Sequence, residues 1–199
     1  MPRIKIRASR PGDAKLFAKL VIESSPMFPD VFGPGIESAL MGMFAARRNL
    51  FGGRHVSIAE ADGAPAGMLL GYTHVIKKRE DLRTGLLLAR ELGPELFLRL
   101  PLLLKLSRCA GVVYPGEFFV SNIAIEKTCR GAGAGKGLML HAEEVAKSQN
   151  ARMMALEVDC DNPSAMGLYE KLGYAPSARF DININGKPKS FFRMIKTIL

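Results

Sequence analysis

A chain of 199 residues with 48% hydrophobic and 24% charged side chains has the composition of a globular protein, and we expect a single domain over residues 1–199. The net charge of +9 favours an anionic ligand, but the basic residues are scattered and lack aromatic interleaving, so the pattern argues against a nucleic-acid partner. Three cysteines at unrelated spacings exclude a metal-binding motif and indicate a reducing, cytoplasmic location.

The sequence predicts neither a targeting segment nor a membrane partner. The run Met1–Lys5 lacks the apolar core of a signal peptide. The most leucine-rich stretch, residues 86–106, is interrupted by five charged residues and two prolines. A bilayer span needs about 20 predominantly apolar residues, so we expect no transmembrane helix.

The first 74 residues predict strands and helices in turn. Residues 3–7 alternate apolar and basic side chains, which is typical of a half-buried edge strand. Pro26 and Pro29 end the first helix, and Asp62-Gly63 is a hairpin-turn signal. The predicted elements are a strand over 3–7, helices over 11–24 and 35–50, and strands over 56–60 and 66–74.

The remaining residues predict an insertion followed by alternating strands and helices. Residues 77–110 carry twelve leucines in a helical pattern, and residues 118–125 form the nearly continuous apolar run of a central strand. The later predicted elements are a helix over 134–149, a strand over 152–158, a helix over 163–172, and a hairpin of 179–184 and 189–195 around Asn185-Gly186. This order predicts an α/β fold with a mixed sheet.

The glycine-rich run 129–137 joins the central strand to an amphipathic helix. The first N–H groups of a helix have no partner within the helix, and the helix dipole adds partial positive charge there. Glycine lets the backbone approach a ligand closely, and Arg130 and Lys136 add fixed positive charge. The run therefore predicts a phosphate-binding turn.

Two common phosphate-binding motifs do not fit this run. A P-loop would require glycine at Arg130 and a hydroxyl at Gly137, and neither glycine register completes a dinucleotide fingerprint. The pattern that fits is Arg-x-x-Gly-x-Gly, carried by Arg130, Gly133 and Gly135. This segment resembles the acetyl-CoA-binding motif of the GNAT superfamily of N-acetyltransferases.

A second segment, residues 156–174, resembles the other GNAT signature, in which a strand is followed by Asn, a short helix with Tyr, and Leu-Gly-Phe/Tyr. The two motifs lie in the expected order and together cover residues 117–174. The resemblance implies a GNAT (acyl-CoA N-acyltransferase) fold, with a mixed, mostly antiparallel central sheet flanked by helices. The leucine-rich helical insertion departs from a compact GNAT chain.

The resemblance implies acetyl-CoA as the cofactor and assigns residues to bind it. The pantetheine arm would pair with the exposed backbone of the central strand, and the pyrophosphate would bind the glycine-rich turn. Asn162 matches a position that contacts the arm, although it also suits a helix N-cap before Pro163. The implied cofactor-binding residues are Ile123, Ala124, Ile125, Arg130, Gly131, Ala132, Gly133, Ala134, Gly135, Lys136 and Asn162.

The resemblance also implies two catalytic residues. Tyr169 lies at the position of the general acid that protonates the departing thiolate, and the alternative is a buried tyrosine with a hydrogen-bonded hydroxyl. Glu157 matches a base that acts through water in some members; Glu117, or water without a single base, remain alternatives. Cys160 is better interpreted as a packed thiol than as a nucleophile, because no histidine is near in sequence.

The leading hypothesis is an acetyl-CoA-dependent N-acetyltransferase that acts on a primary amine of a small molecule or peptide, by direct attack in a ternary complex. The alternatives are a non-catalytic acyl-CoA sensor and a different nucleotide-binding module. The insertion could pack on the sheet, cover the acceptor site as a lid, or form the surface of a homodimer. The sequence does not identify the acceptor.

Overall fold

The computed structural model describes residues 2–198, so Met1 and Leu199, the end positions of the expected domain, lie outside the described residues. Seven strands form one sheet in the order β1-β2-β3-β4-β5-β7-β6. The strands are β1 (Ile4–Ala8), β2 (Val56–Ala61), β3 (Ala64–Thr73), β4 (Glu117–Ile125), β5 (Met153–Asp159), β6 (Ala175–Ile184) and β7 (Lys187–Thr197). The α-helices are α1 (Ala14–Ser24), α2 (Phe28–Phe32), α3 (Ile36–Ala45), α4 (His74–Leu92), α5 (Glu95–Leu106), α6 (Ala134–Ser148) and α7 (Pro163–Lys171).

The sheet is mixed, as the order of elements predicts, and mostly antiparallel, as the resemblance implies. The pair β4–β5 is parallel and is joined through α6, while every other neighbouring pair among residues 2–198 is antiparallel. β1 lies at one edge, which confirms the predicted edge strand. Both predicted hairpin turns are present, with Asp62-Gly63 and Asn185-Gly186 each at positive φ, as a type I′ turn requires.

Helices cover both faces of the sheet because strand side chains alternate between the faces. On one face, Met68 and Leu70 of β3 pack with apolar residues of α1, α3 and α4. On the other face, Leu69 packs in the cluster that contains α6 and Tyr169 of α7. The core therefore consists of two apolar layers separated by the sheet.

Two predictions about the N-terminal helices were wrong. The helix expected over 35–50 ends at Ala45, because the Asn49 side chain donates hydrogen bonds to the carbonyls of Met43 at 3.0 Å and Ala46 at 2.9 Å. These bonds satisfy acceptors that a helix end leaves free. Pro29 does not end the first helix, since α1 already ends at Ser24: it lies in the first turn of α2, where its missing N–H costs nothing.

The insertion is a pair of helices, α4 and α5, but α4 begins at His74 and not at Lys77. Strand β3 consequently ends at Thr73 and not at His74, because the Thr73 hydroxyl accepts the Ile76 N–H and caps the helix. Among residues 2–198 there is no helix that is long and apolar enough to cross a bilayer.

A buried polar cluster fixes α4 to the rest of the fold. Glu80 lies 2.9 Å from His55 Nε2 and also pairs with Arg54. Burial lowers the pKa of His55 to about 4, so the imidazole is neutral near pH 7. One turn further along, the Thr84 hydroxyl accepts the Leu50 N–H at 2.9 Å. The first half of the insertion is therefore held in one orientation on the sheet.

Candidate active site

The site lies where β4 and β5 separate. Their parallel pairing begins at Glu117 and ends at Val120, which pairs with Leu156. Next to this point β4 has a bulge at Ser121, since Leu70 pairs with Asn122 while Gly71 pairs with Val120. Beyond the bulge, residues 122–125 keep β3 as a neighbour but have no strand partner on the β5 side within the described sheet.

A cleft of about 1560 Å³ opens at this separation. Its floor is β4 and β5, and one end is the glycine-rich turn with α7. The rest of the lining comes from the insertion, the β6–β7 hairpin, and residues 23–28 with Val31 and Phe32 at the end of α1 and in α2. Every sequence-predicted site residue except Ala132 lines the cleft: Ile123, Ala124, Ile125, Arg130, Gly131, Gly133, Ala134, Gly135, Lys136, Glu157, Asn162 and Tyr169.

The glycine-rich turn presents a row of free amides. The N–H groups of residues 131–136 donate no hydrogen bond to any acceptor within residues 2–198, and the first bonded amide is that of Gly137, which reaches the Gly133 carbonyl at 2.9 Å. Gly131 and Gly133 have φ of 80° and 86°, the left-handed conformation that glycine adopts without strain. The turn is therefore shaped to bind an anion through its backbone.

The surroundings of the turn fit a phosphorylated ligand. Arg130 Nε donates to the Ile125 carbonyl at 3.1 Å, which ties the turn to the end of β4. Lys136 is exposed beside the free amides. A Cβ added at Gly135 would approach Leu168 of α7 to 3.4 Å, so a larger side chain here would enter the space between the turn and α7.

Tyr169 of α7 is 6% exposed, and its hydroxyl makes no hydrogen bond within the described part of the chain. Burial raises the pKa of Tyr169 to about 12, so the phenol stays protonated at neutral pH. Its ring lies 6.0 Å from the ring of Tyr174, whose hydroxyl donates to Glu143 at 3.4 Å. Of these two neighbouring phenols, Tyr169 lines the cleft with its proton free to donate.

Glu157 of β5 is a shielded carboxyl group on the floor of the cleft. The Gly111 N–H donates to both carboxylate oxygens at 3.1 and 3.0 Å, and Arg193 Nη1 lies 3.6 Å away. Its side chain is 13% exposed, and burial raises the pKa of Glu157 to about 7. A carboxyl group with a pKa near 7 can accept and release protons at neutral pH.

Glu117, the alternative base, is held by contacts that stabilise the fold. Arg193 Nη2 lies 2.6 Å from its carboxylate, and the Tyr114 N–H donates to it at 2.7 Å. Glu117 is buried and does not line the cleft. Its carboxylate is engaged in a buried ion pair, so of the two glutamates Glu157 is the one available to a substrate.

Asn162 performs the helix-capping role that the sequence suggests, since its Oδ1 accepts the Ala165 N–H at 3.1 Å at the start of α7. It is exposed and also borders the cleft. Cys160 lies two residues earlier in the chain and does not line the cleft, which agrees with its interpretation as a packed thiol.

Two residues near the site were missed by sequence reasoning. Asn122 is buried in β4, and its amide donates to the hydroxyls of Ser24 at 2.9 Å and Ser25 at 3.1 Å, which joins α1 to the bulge. A single asparagine in an apolar strand was the available signal. Arg193 lies directly across from Glu157 in the β5–β7 register, and no local pattern reveals that pairing.

Comparison with known proteins finds a family match over most of the chain. Residues 24–174 match the family model described as Acetyltransferase (GNAT) family. A Bacillus subtilis protein, provisionally named a ribosomal protein bS18-alanine N-acetyltransferase, is 42% identical over 57 residues, which are 29% of this chain and 38% of that protein. The chain therefore matches well under half of the length of this curated relative.

Solved structures show the same fold over nearly the whole chain. An N-acetyltransferase from Staphylococcus aureus Mu50 superimposes with a TM-score of 0.69 at 18% identity, covering 96% of this chain and 100% of that one. A Salmonella typhimurium protein solved with its cofactor acetyl-CoA has a TM-score of 0.64 at 12% identity, covering 98% of this chain and 94% of that one. At these identities the likeness establishes the fold alone.

Proposed function

The chain belongs to the acetyltransferase (GNAT) family, and from that premise we propose that it is an acetyl-CoA-dependent N-acetyltransferase acting on a primary amine. The single observation that carries this proposal is the row of free amides at residues 131–136, beside a β4 edge without a strand partner in the described sheet. Both features satisfy ligand groups through the backbone.

The residues present fit acetyl-CoA. The amides of residues 131–136 would hold the pyrophosphate, with Arg130 and Lys136 adding positive charge. The backbone of Ile123, Ala124 and Ile125 would hold the pantetheine arm as an added strand. Asn162 borders the same end of the cleft and would contact the arm. When bound, acetyl-CoA supplies an activated acetyl thioester.

Glu157 and Tyr169 would handle the protons of direct transfer within a ternary complex. Glu157 would accept a proton from the amine, directly or through water, because its pKa of about 7 leaves a large ionised fraction at neutral pH. Tyr169 would donate its proton to the departing sulfur, since its pKa of about 12 keeps the phenol protonated. In such a transfer the amine would attack the thioester directly, so no residue of the chain would carry the acetyl group.

Calorimetric titration with CoA tests the binding part of this proposal. Gly135→Glu places a carboxylate beside the free amides, and like-charge repulsion should weaken CoA affinity by roughly 100-fold or more. Leu140→Glu is the matched control, because Leu140 lies on the exposed side of the same helix and adds the same charge away from the cleft. Equal CoA affinity in the two variants would contradict the proposed pyrophosphate site.

Two further measurements separate the alternatives. A thioester-consumption screen with small amines and N-terminal peptides distinguishes an enzyme from an acyl-CoA sensor, which would bind CoA tightly and transfer to none of them. Thermal stabilisation by ATP or NAD but not by CoA would indicate a different nucleotide-binding module. The protonated, unpartnered phenol of Tyr169 favours the enzyme.

A further inference from the structure

The insertion exposes an unusual amount of apolar surface, and most of it faces the cleft. Five large, exposed apolar side chains of α4 and α5 line the cleft and are called the apolar wall: Leu82, Leu86, Phe97, Leu100 and Leu104. Phe97 alone is 66% exposed. Contiguous exposed apolar surface in a cleft marks a binding region, because covering it releases water.

The positive charges of the insertion are arranged in the opposite way. The eight basic residues of α4, α5 and the residues just after them all lie away from the cleft lining of the described chain: Lys77, Lys78, Arg79, Arg83, Arg90, Arg99, Lys105 and Arg108. An acceptor with an anionic body would meet no basic side chain on this wall. Among the described residues, the charged residue of α4 and α5 that lines the cleft is Asp81, which pairs with Lys77 at 2.7 Å. The cleft side of the insertion therefore favours an apolar group over an anionic one.

The apolar wall and the candidate base line the same cleft. The loop that follows the insertion carries Gly111, whose N–H binds the Glu157 carboxylate. On the same side, the stacked rings of Phe180 and Phe191 in the β6–β7 hairpin share an apolar cluster with Leu103 of α5 and also line the cleft. Lys189, the one basic residue on this hairpin that lines the cleft among described residues, is paired with Asp159 at 3.0 Å.

The two parts of the cleft thus suit two different ligands. The glycine-rich turn suits a polyphosphate, and the insertion side suits an amphipathic amine. The end at the glycine-rich turn carries Arg130, Lys136 and Lys171, which complement phosphate charge. The insertion side has an apolar wall that leads to a carboxyl group, which complements an amine joined to an apolar tail.

From this arrangement we infer that the acceptor is a primary amine with a long apolar tail, its nitrogen at Glu157 and its tail along the apolar wall. The inference rests on the proposed function, and it narrows the acceptor class within it. Burying a methylene contributes about 0.8 kcal/mol, so tail length should govern the efficiency of transfer.

A homologous series of unbranched primary amines, from ethylamine to decylamine, tests the inference with acetyl-CoA as donor. These amines have nearly equal basicity, so the neutral fraction stays constant while tail length changes. We expect kcat/KM to rise by roughly fourfold per methylene until the apolar wall is covered, and then to level off. Spermidine, a long amine without an apolar tail, should remain as poor an acceptor as ethylamine.

The neighbouring residues Phe97 and Leu98 provide a matched pair of variants. Phe97 lines the cleft, whereas Leu98, which is 84% exposed on the same helix, does not. Phe97→Ser should lower kcat/KM for decylamine by about tenfold or more and leave ethylamine unchanged. Leu98→Ser should leave the dependence on tail length as in the wild type.

Each other outcome overturns the inference in a recognisable way. A flat response to tail length, or CoA binding without transfer to any amine of the series, contradicts an apolar acceptor while CoA affinity still supports the cofactor site. If kcat/KM rises instead with the length of the acyl chain of the thioester, the apolar wall binds the donor. Loss of dimerisation or of binding to vesicles of phosphatidylglycerol in Phe97→Ser, with unchanged transfer, assigns the wall to a second copy or to a lipid surface.

If the wild type neither binds CoA nor transfers an acetyl group to any amine, the result contradicts the proposed function itself.

Discussion

The two sides of the cleft offer a ligand different chemical groups. At the glycine-rich turn, the main chain does the binding, through the free amides of residues 131–136 and the β4 edge at residues 122–125. On the insertion side, side chains would do the binding, through apolar groups of α4 and α5 and the carboxyl group of Glu157. A backbone site tolerates many side chains but requires glycine at particular positions, so it leaves a pattern in the sequence.

The side-chain region leaves no such pattern. An apolar helix face has the same spacing whether it packs on a sheet or faces a cleft. The comparison teaches that the half of the site that binds the proposed cofactor can be predicted locally, while the half that selects the acceptor depends on how distant segments meet. Variants at Tyr169, Glu117, Glu157 and Asn162 test whether the chemistry divides along the same line.

Tyr169→Phe should produce the largest loss of activity. If the phenol donates a proton in the transition state, kcat should fall by roughly 10²–10⁴-fold. CoA affinity and thermal stability should hardly change, because the hydroxyl has no hydrogen-bond partner among residues 2–198. The measurements are steady-state kinetics, calorimetry and thermal unfolding.

Tyr174→Phe is the control for that experiment, since its ring lies 6.0 Å from the Tyr169 ring and is also buried. It loses the hydrogen bond to Glu143 and should cost about 1 kcal/mol of stability with unchanged turnover. Equal kcat values for wild type and Tyr169→Phe would reject the general acid and leave the family assignment intact.

Glu117→Gln should mainly reduce stability. It removes one charge of the buried pair with Arg193, and breaking such a pair costs about 3–5 kcal/mol. Urea unfolding measures the change. Glu144→Gln, at an exposed i,i+3 pair with Lys147, is the control and should change stability by less than about 1 kcal/mol. If the Glu117→Gln variant is as stable as the wild type but turns over far more slowly, Glu117 is the base.

Glu157→Gln should lower turnover by about 10²-fold and change the pH profile. In the wild type, activity should rise as the pH passes about 7, because the carboxyl group must lose its proton to act as a base. The variant should lose this rise. An unchanged pH profile would favour water without a single base.

The same variant has a stability signature with a defined sign. Burial raises the pKa of Glu157 from 4.5 to about 7, so the fold favours the protonated carboxyl group. The stability that this group contributes is complete below pH 4.5 and is lost as the pH rises through about 7, by up to about 3 kcal/mol. The Glu157→Gln side chain stays neutral. In urea unfolding, the free energy of unfolding of the variant should therefore rise relative to that of the wild type between pH 4 and pH 8.

Local patterns predicted the fold well where turns and alternation decide it. The predicted strand over 118–125 and helix over 134–149 differ from β4 and α6 by one residue at one end each. The short helix α2 was missed because proline was interpreted as a breaker, although it suits a first helical turn. The two motifs, the mixed sheet and the family could all be predicted from the sequence.

The environment of the candidate base could not be predicted in the same way. Glu157 and Arg193 meet because β7 inserts beside β5 in a particular register, and Gly111 reaches the carboxylate from the end of the insertion. Neither contact is local, so sequence spacing favoured Glu157 but left Glu117 and water as alternatives. Likewise, periodicity identified the leucine-rich helices but not which leucines would remain exposed.

Asn162 lies at the cofactor end of the cleft, and its substitution should have the smallest effect. Asn162→Ala removes the cap of α7 and should cost about 1 kcal/mol of stability, whereas Asn162→Ser retains a capping oxygen and should unfold like the wild type. Both variants lack the amide, so CoA affinity should fall by roughly two- to tenfold in each if that group contacts the cofactor. Unfolding and CoA titration of the pair separate the two roles, because wild-type affinity in Asn162→Ser would leave Asn162 as a helix cap alone. In that case the cofactor end would act through its main chain and Tyr169, which would make the contrast with the insertion side sharper.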